Sequence, residues 1–340
     1  MRIICKVCPG GIIIMKKVLK NLEPWIRPYL GDAFCFSIIN DIAFESGWVY
    51  DKYIHLEFTP QDGHIKYADY DYYDFVPDQG LFIKSYTQIP FSFCTQQYVC
   101  GLIMEMIDDG EYFFALWDEN VVTNFLYNED QQGIFEHGCF VYGYDSEREI
   151  FYSQGYLRDE KWKRAEIPYS VFYRALSYYP EKGEIAFIGY KPVENYSWTF
   201  DFEKMKEGFK IYQETFHMES NRILNAGAEK GYFENLLIER RIHYPSLYCM
   251  YEHKKNMVRR MEYLIENCYI NEADGKSLLT QIQDIESDYK KIMLFGVKYI
   301  LNQEKGLLEM IYKKAMKTIE REEEFIFKLL ESFSAVSGSV

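Results

Sequence analysis

Apolar and polar positions change period about three fifths of the way along the chain. From Gly31 the positions Phe36, Ile39, Ile42 and Ala43 recur at three- and four-residue spacing, which predicts a helix. Asp32 is placed to cap its start and Gly47 its end. Residues 48–98 are rich in Tyr, Asp, Phe, Pro and Gly without a clear period, and read as short strands and loops. Gly101–Asp109 predicts a helix closed by Gly110, followed by a strand over Tyr112–Trp117. After a polar loop, Cys139–Asp145 and Ile150–Ser153 flank the short polar turn Ser146–Glu149, the pattern of a hairpin. A short helix over Tyr169–Ser177 and a strand over Ile185–Lys191 complete this half.

From about Phe200 the strand signal ends. Leu279, Ile282, Ile285, Ile292, Val297 and Ile300 keep helical spacing, and so do Leu308, Ile311, Ala315, Ile319, Ile326 and Leu330. The stripes are amphipathic rather than heptad, which favours a bundle over a coiled coil. The predicted class is α+β: a leading helix with a mostly antiparallel sheet, then an all-α bundle. Expected domains are 15–195 and 196–335. Met15 opens MKKVLKNLEPW, so residues 1–14 are expected to be an N-terminal extension.

Composition narrows the classes. With 48% hydrophobic residues in 340, the chain supports a large core and is not globally disordered. A net charge of −14 argues against a nucleic-acid partner, because phosphate would be repelled. The longest apolar runs, such as Gly11–Met15, fall far short of the roughly 18 residues of a membrane span. Eight cysteines are too sparse for a disulfide scaffold, and Cys5 and Cys8 form one CxxC that no second pair answers. The expectation is reduced thiols in the cytoplasm and no metal. Aromatics make up 18% of the chain, which suits semi-polar grooves as well as ordinary cores.

Two residues carry candidate chemistry. Cys35 is expected at the start of a helix, where unpaired N–H groups and the dipole favour a thiolate. The competing reading is a small buried hydrophobe. His137 lies just ahead of the Cys139 strand, where its ring can lean over a neighbouring helix terminus. A thiol beside an imidazole is the minimal activated nucleophile.

The segments FCFSIINDIAFESG, DDGEYFFALWDE and HGCFVYGYD resemble bacterial papain-like cysteine enzymes, including the double-glycine leader peptidases. The resemblance is closer to the acyltransferases typified by the butirosin biosynthesis H protein of antibiotic gene clusters. YEHKKNMVRRMEYL and LFGVKYIL are similar to their appended helices. The resemblance implies a Cys35–His137 site that accepts an acyl group from a carrier thioester and forms an amide with an amine. Gln154 is the positional candidate to orient the ring, and Asp118 its rival. Residues 26–34 lack the Gln that completes the leader peptidases' oxyanion hole, so backbone N–H groups at Cys35 or another side chain must serve.

Three functions compete: amide-forming acyltransferase, peptidase of the same fold, and non-catalytic carrier- or peptide-binding homologue. The absent acid counts against the peptidase. Tyr70, Tyr72 and Tyr73 are expected to line a water-poor substrate groove. An acyl or peptidyl carrier protein is the expected partner, its phosphopantetheine the only cofactor and part of the donor. Such carriers are acidic, so docking is expected on Lys254, Lys255, Arg259 and Arg260, with Arg240 and Arg241 shortly before.

Overall fold

The computed structural model describes residues 15–68, 80–157, 161–178, 183–214, 216–217, 222–304 and 306–336. In chain order, β1 (Lys16–Val18) precedes α1 (Leu30–Glu45), a 3₁₀ turn at Trp48–Asp51, β2 (Leu56–Thr59) and β3 (His64–Tyr67). Next come β4 (Phe82–Pro90), α2 (Gln96–Asp108), β5 (Tyr112–Asp118) and α3 (Glu119–Tyr127). The hairpin strands β6 (Glu136–Asp145) and β7 (Ile150–Leu157) lead to β8 (Lys161–Pro168), α4 (Tyr169–Leu176) and β9 (Glu184–Pro192). The remainder is mostly helical: α5 (Phe202–Tyr212), short β10 (Phe216–His217) and β11 (Ile223–Leu224), then α6 (Ala226–Glu239) and α7 (Tyr244–Glu266). Helices α8 (Glu272–Asn302) and α9 (Leu307–Val336) end the chain. The architecture is α+β, with antiparallel sheets and a mostly helical C-terminal region. Among the described residues, no helix is long and apolar enough to cross a membrane.

The chain forms two compact units that interleave in sequence. One comprises the residues up to Trp25, Phe34–Ile38, and the stretch ending at Tyr196. The other takes Ile26–Ala33, the stretch from Ile39, and everything from Ser197.

In the first unit the strands run β4-β9-β5-β6-β7-β8, with β1 also paired to β6, and every neighbour is antiparallel. Alternation divides the two faces. Phe113, Ala115, Trp117, Cys139, Val141 and Phe151 share one apolar core with Val99 and Ile103 of α2 and Phe172 of α4. Phe114 and Phe140 face the other way, where Phe34 of α1 stacks on Phe140 with centroids 4.5 Å apart. The sequence stops the hairpin strands short: β6 extends back to Glu136, so His137 lies within a strand rather than ahead of it. The supposed polar loop contains α3, because Asp118 accepts the Asn120 N–H at 3.1 Å and caps it.

In the second unit, β10-β11-β2-β3 form a small antiparallel sheet, and α7 packs on α8 and α8 on α9. Leu278, Ile282, Ile285, Tyr289 and Ile292 make the buried stripe of α8, while Ile300 is exposed. α7 and α8 approach each other tightly at Gly296, where a Cβ would collide with Leu247. Gly47 sits just past α1 at φ +75°, and a Cβ there would strike the Tyr263 ring. Gly47→Ala combines left-handed strain with overpacking, so it should cost ~2 kcal/mol or more in urea unfolding. A loss under ~0.5 kcal/mol would contradict this reading of the turn.

Candidate functional site

The site is built where β5 ends and β6 begins. Trp117 pairs with His137 and Asp118 with Glu136, so the residue after the strand, Glu119, arrives beside the imidazole. The Glu119 N–H donates to the Phe135 carbonyl at 2.8 Å, and Asp118 Oδ1 accepts the Phe135 N–H at 3.0 Å. These bonds tie the start of α3 to the entry of β6. The Glu119 carboxylate hydrogen-bonds His137 Nδ1. Its side chain is 4% exposed and that of His137 is 29% exposed. A carboxylate on Nδ1 fixes the tautomer that leaves Nε2 as the basic nitrogen, and it supports the imidazolium when that forms. The arrangement can take up and return one proton at a surface-accessible ring.

Glu119 was not among the sequence candidates. The signal lay in the acidic pair Asp118-Glu119 ending a strand, where the first residue caps a helix and the second is free to orient the ring. Asp118 is occupied by its two backbone N–H groups, so it is a cap and not the orienting acid. Gln154 is not the orienting residue either. It pairs with Phe140 and therefore shares the face opposite to His137, and its buried amide atoms have no hydrogen-bond partner.

Cys35 is fully buried, and the helix position expected for it needs correction. α1 begins at Leu30 after Tyr29, so Cys35 lies in the second turn, beyond the unpaired N–H groups of the first. The dipole effect falls off within one turn, so neither thiolate stabilisation nor an oxyanion donor follows from the Cys35 backbone. Asp32 lies in the first turn and is no cap. Phe34 packs on the Phe140 face, while the pleat groups His137 with Trp117 and Cys139 on the other. The structure thus joins His137 to Glu119, and it places Gln154 on the face where Phe34 packs.

The other thiols are poor nucleophiles or simply exposed. Burial pushes Cys100 and Cys139 up to about 12 and also raises Cys94. Burial likewise raises Cys249, and Cys268 is exposed. In the second unit His55 bonds to Asn225, His243 to Ser246 and His253 to the Ile54 carbonyl, while His64 stacks on the His243 ring.

The expected docking patch is corrected by burial. Lys254 and Arg260 are both 0% exposed. Lys254 Nζ pairs with Glu229 at 2.8 Å and Glu322 at 2.5 Å. Arg260 donates to the backbone carbonyls of Tyr50 and Lys52 at 2.7 and 2.9 Å and lies over the Phe209 ring. Both therefore belong to the core of the second unit, satisfied by residues far away in sequence, and offer nothing to a carrier. Lys255 lies over Tyr251 and Arg259 over Phe44, each partly buried. Tyr70, Tyr72 and Tyr73 lie outside the described residues, as do Cys5 and Cys8. Among the described residues, no group of three or more His, Cys, Asp and Glu is arranged to hold a metal ion. No family model matches the chain, and no curated protein matches it.

Proposed function

We propose that the chain is a papain-like, cysteine-dependent acyltransferase that moves an acyl group from a carrier-bound thioester to Cys35 and then to an amine. The observation that carries this reading is the His137 imidazole, held at Nδ1 by buried Glu119 with Nε2 left for proton transfer. His137 is the second residue of β6, on the face of Trp117 and Cys139, so acyl transfer in this reading requires its ring and Cys35 to meet at that end of the sheet. In this reading Nε2 takes the Cys35 thiol proton and the thiolate attacks the thioester carbonyl. The donor's thiol, the end of its phosphopantetheine arm, leaves with that proton. The amine then attacks acyl-Cys35, gives a proton to Nε2, and the thiolate is released. Thioester exchange is nearly balanced, which makes loading undemanding, and the cytoplasm would supply both carrier and reduced thiol.

The oxyanion needs a donor other than the Cys35 backbone. Gln154 is the residue we assign to it: its amide is buried, has no partner, and shares the face against which Phe34 packs. Preorganised donors of this kind typically contribute ~10²–10³ in rate, so Gln154→Leu should slow loading by that amount with the fold intact. Unchanged loading would remove Gln154 from the site.

A second reading, a peptidase of the same fold, gains support from Glu119. An orienting carboxylate is what protonation of a poor amine leaving group requires. Incubation with an acyl thioester, with and without amine, separates the two: amide product favours transfer, while cleavage of peptides favours hydrolysis.

Thiol labelling gives a further check. In a Cys268→Ser background, iodoacetamide should modify Cys35 before Cys94, Cys100 or Cys139, because this reading gives Cys35 a base in His137 while burial holds the other three protonated. Peptide mapping that finds any of the three labelled first would contradict Cys35 as the activated thiol.

A further inference from the structure

A separate set of buried polar atoms lies wholly within the second unit. Asp32, in the first turn of α1, and Glu252, on α7, are 3% and 2% exposed. Asp32 Oδ1 and Glu252 Oε1 have no hydrogen-bond partner. The other Glu252 oxygen accepts the Arg27 N–H at 2.7 Å, which fixes the carboxyl. Asn256 follows Glu252 by one turn on the same face of α7, is fully buried, and has neither amide atom paired. Buried unsatisfied groups are rare in native interiors because each keeps the cost of its lost hydration. Four such atoms, those of Glu252 and Asn256 one turn apart on α7 and that of Asp32 on a carboxyl that feels the Glu252 charge, mark a place made for a polar occupant.

The chemistry of the atoms selects the occupant. Two carboxyl oxygens and one amide oxygen form an anionic, acceptor-dominated set, and a primary ammonium brings three donors and one positive charge. A hard cation such as Ca²⁺ takes about six to eight oxygens, roughly twice what is offered. We propose that Asp32, Glu252 and Asn256 form a buried binding site for a primary ammonium group. This site is independent of the acyl-transfer reading, since none of its residues takes part in thiol chemistry.

Electrostatics agree with an occupant that is a cation. Burial raises both carboxyls, Asp32 further through the Glu252 charge, and Glu252 reaches about 7. Arg27 and Lys255 pull Glu252 the other way, as does a hydrogen bond from Tyr248. Tyr67 on β3 and Cys249 on α7 feel both carboxyls and are held protonated, chiefly by burial. Near pH 6 the empty site therefore retains protons that an entering cation displaces. Entry takes place by local opening, as for any closed site.

Isothermal titration of the full chain with methylammonium chloride, near pH 6 in two buffers of different ionisation enthalpy, tests this. The expected result is saturable binding with proton release, weakened about tenfold or more in Asp32→Asn and Glu252→Gln. Potassium chloride at equal ionic strength should give no saturable binding. Both carboxamides are isosteric, and Asn256→Leu, which should also abolish binding, serves if either fails to fold. Absence of methylammonium binding would overturn the proposal. So would equal binding of potassium, or undiminished binding in every folded variant.

Discussion

His137→Ala slows loading of Cys35 from an acyl thioester by about 10²–10⁴-fold, the usual contribution of a positioned general base. The fold should tolerate the change, because the ring stands at the open end of β6 and is 29% exposed. Glu119→Gln should give a smaller loss, about tenfold to 10²-fold. The amide keeps a hydrogen bond to Nδ1 but no longer supports the imidazolium with a charge. Single-turnover kinetics with circular dichroism as the fold control checks both. Near-wild-type loading in His137→Ala would remove the histidine from the mechanism. An equal loss in Asp118→Asn, with Glu119→Gln unaffected, would return the orienting role to Asp118.

Lys254→Ala destabilises the second unit by ~3–5 kcal/mol, because it leaves Glu229 and Glu322 buried without their shared counter-ion. Burial alone would lower the Lys254 ammonium, but the two carboxylates outweigh it and hold the group above its ordinary range. The carboxylates are further tied to Tyr289 and Tyr212, so the network spans α5, α6, α7, α8 and α9. Lys254→Met with Glu322→Gln should cost less than Lys254→Met alone, since the pair is removed together. Burial pushes Glu322 to about 7, against about 4.3 for an unfolded glutamate. The native state then binds more protons across that window, so its contribution favours folding at low pH and is lost as pH rises toward 7. Without Lys254 the carboxyl rises further, and the deficit of Lys254→Ala should shrink as pH falls from about 8 to 6. Urea titrations at both pH values measure this. A loss below ~1 kcal/mol, or a deficit that grows on acidification, would contradict the buried network.

The helices of the second unit were legible because α8 and α9 carry 3.6-residue stripes over 31 and 30 residues, long enough for the period to be unmistakable. The β6–β7 hairpin was legible from apolar runs around a four-residue polar turn. β8 was not, since KWKRAEIP reads as a charged segment; it is an edge strand, where polar residues face solvent. The start of α1 was misplaced because Gly31 and Asp32 imitate a cap, whereas the helix begins uncapped at Leu30. At the site, Cys35 and His137 stood out as residue types. The partner of His137 depended on the register of β5 against β6, a non-local property that no local pattern encodes. Lys254 and Arg260 misled for the same reason: their partners are Glu229, Glu322 and the carbonyls of Tyr50 and Lys52, all distant in sequence.

Covalent loading is the most direct test of the central claim. The Cys268→Ser protein is mixed with a small acyl thioester, quenched with acid, and mapped by peptide mass spectrometry. The account predicts a single acyl group on Cys35, absent in Cys35→Ser, slowed in His137→Ala, and discharged as an amide when an amine is added. Acyl groups distributed over other thiols, or loading at an equal rate in His137→Ala, would contradict it.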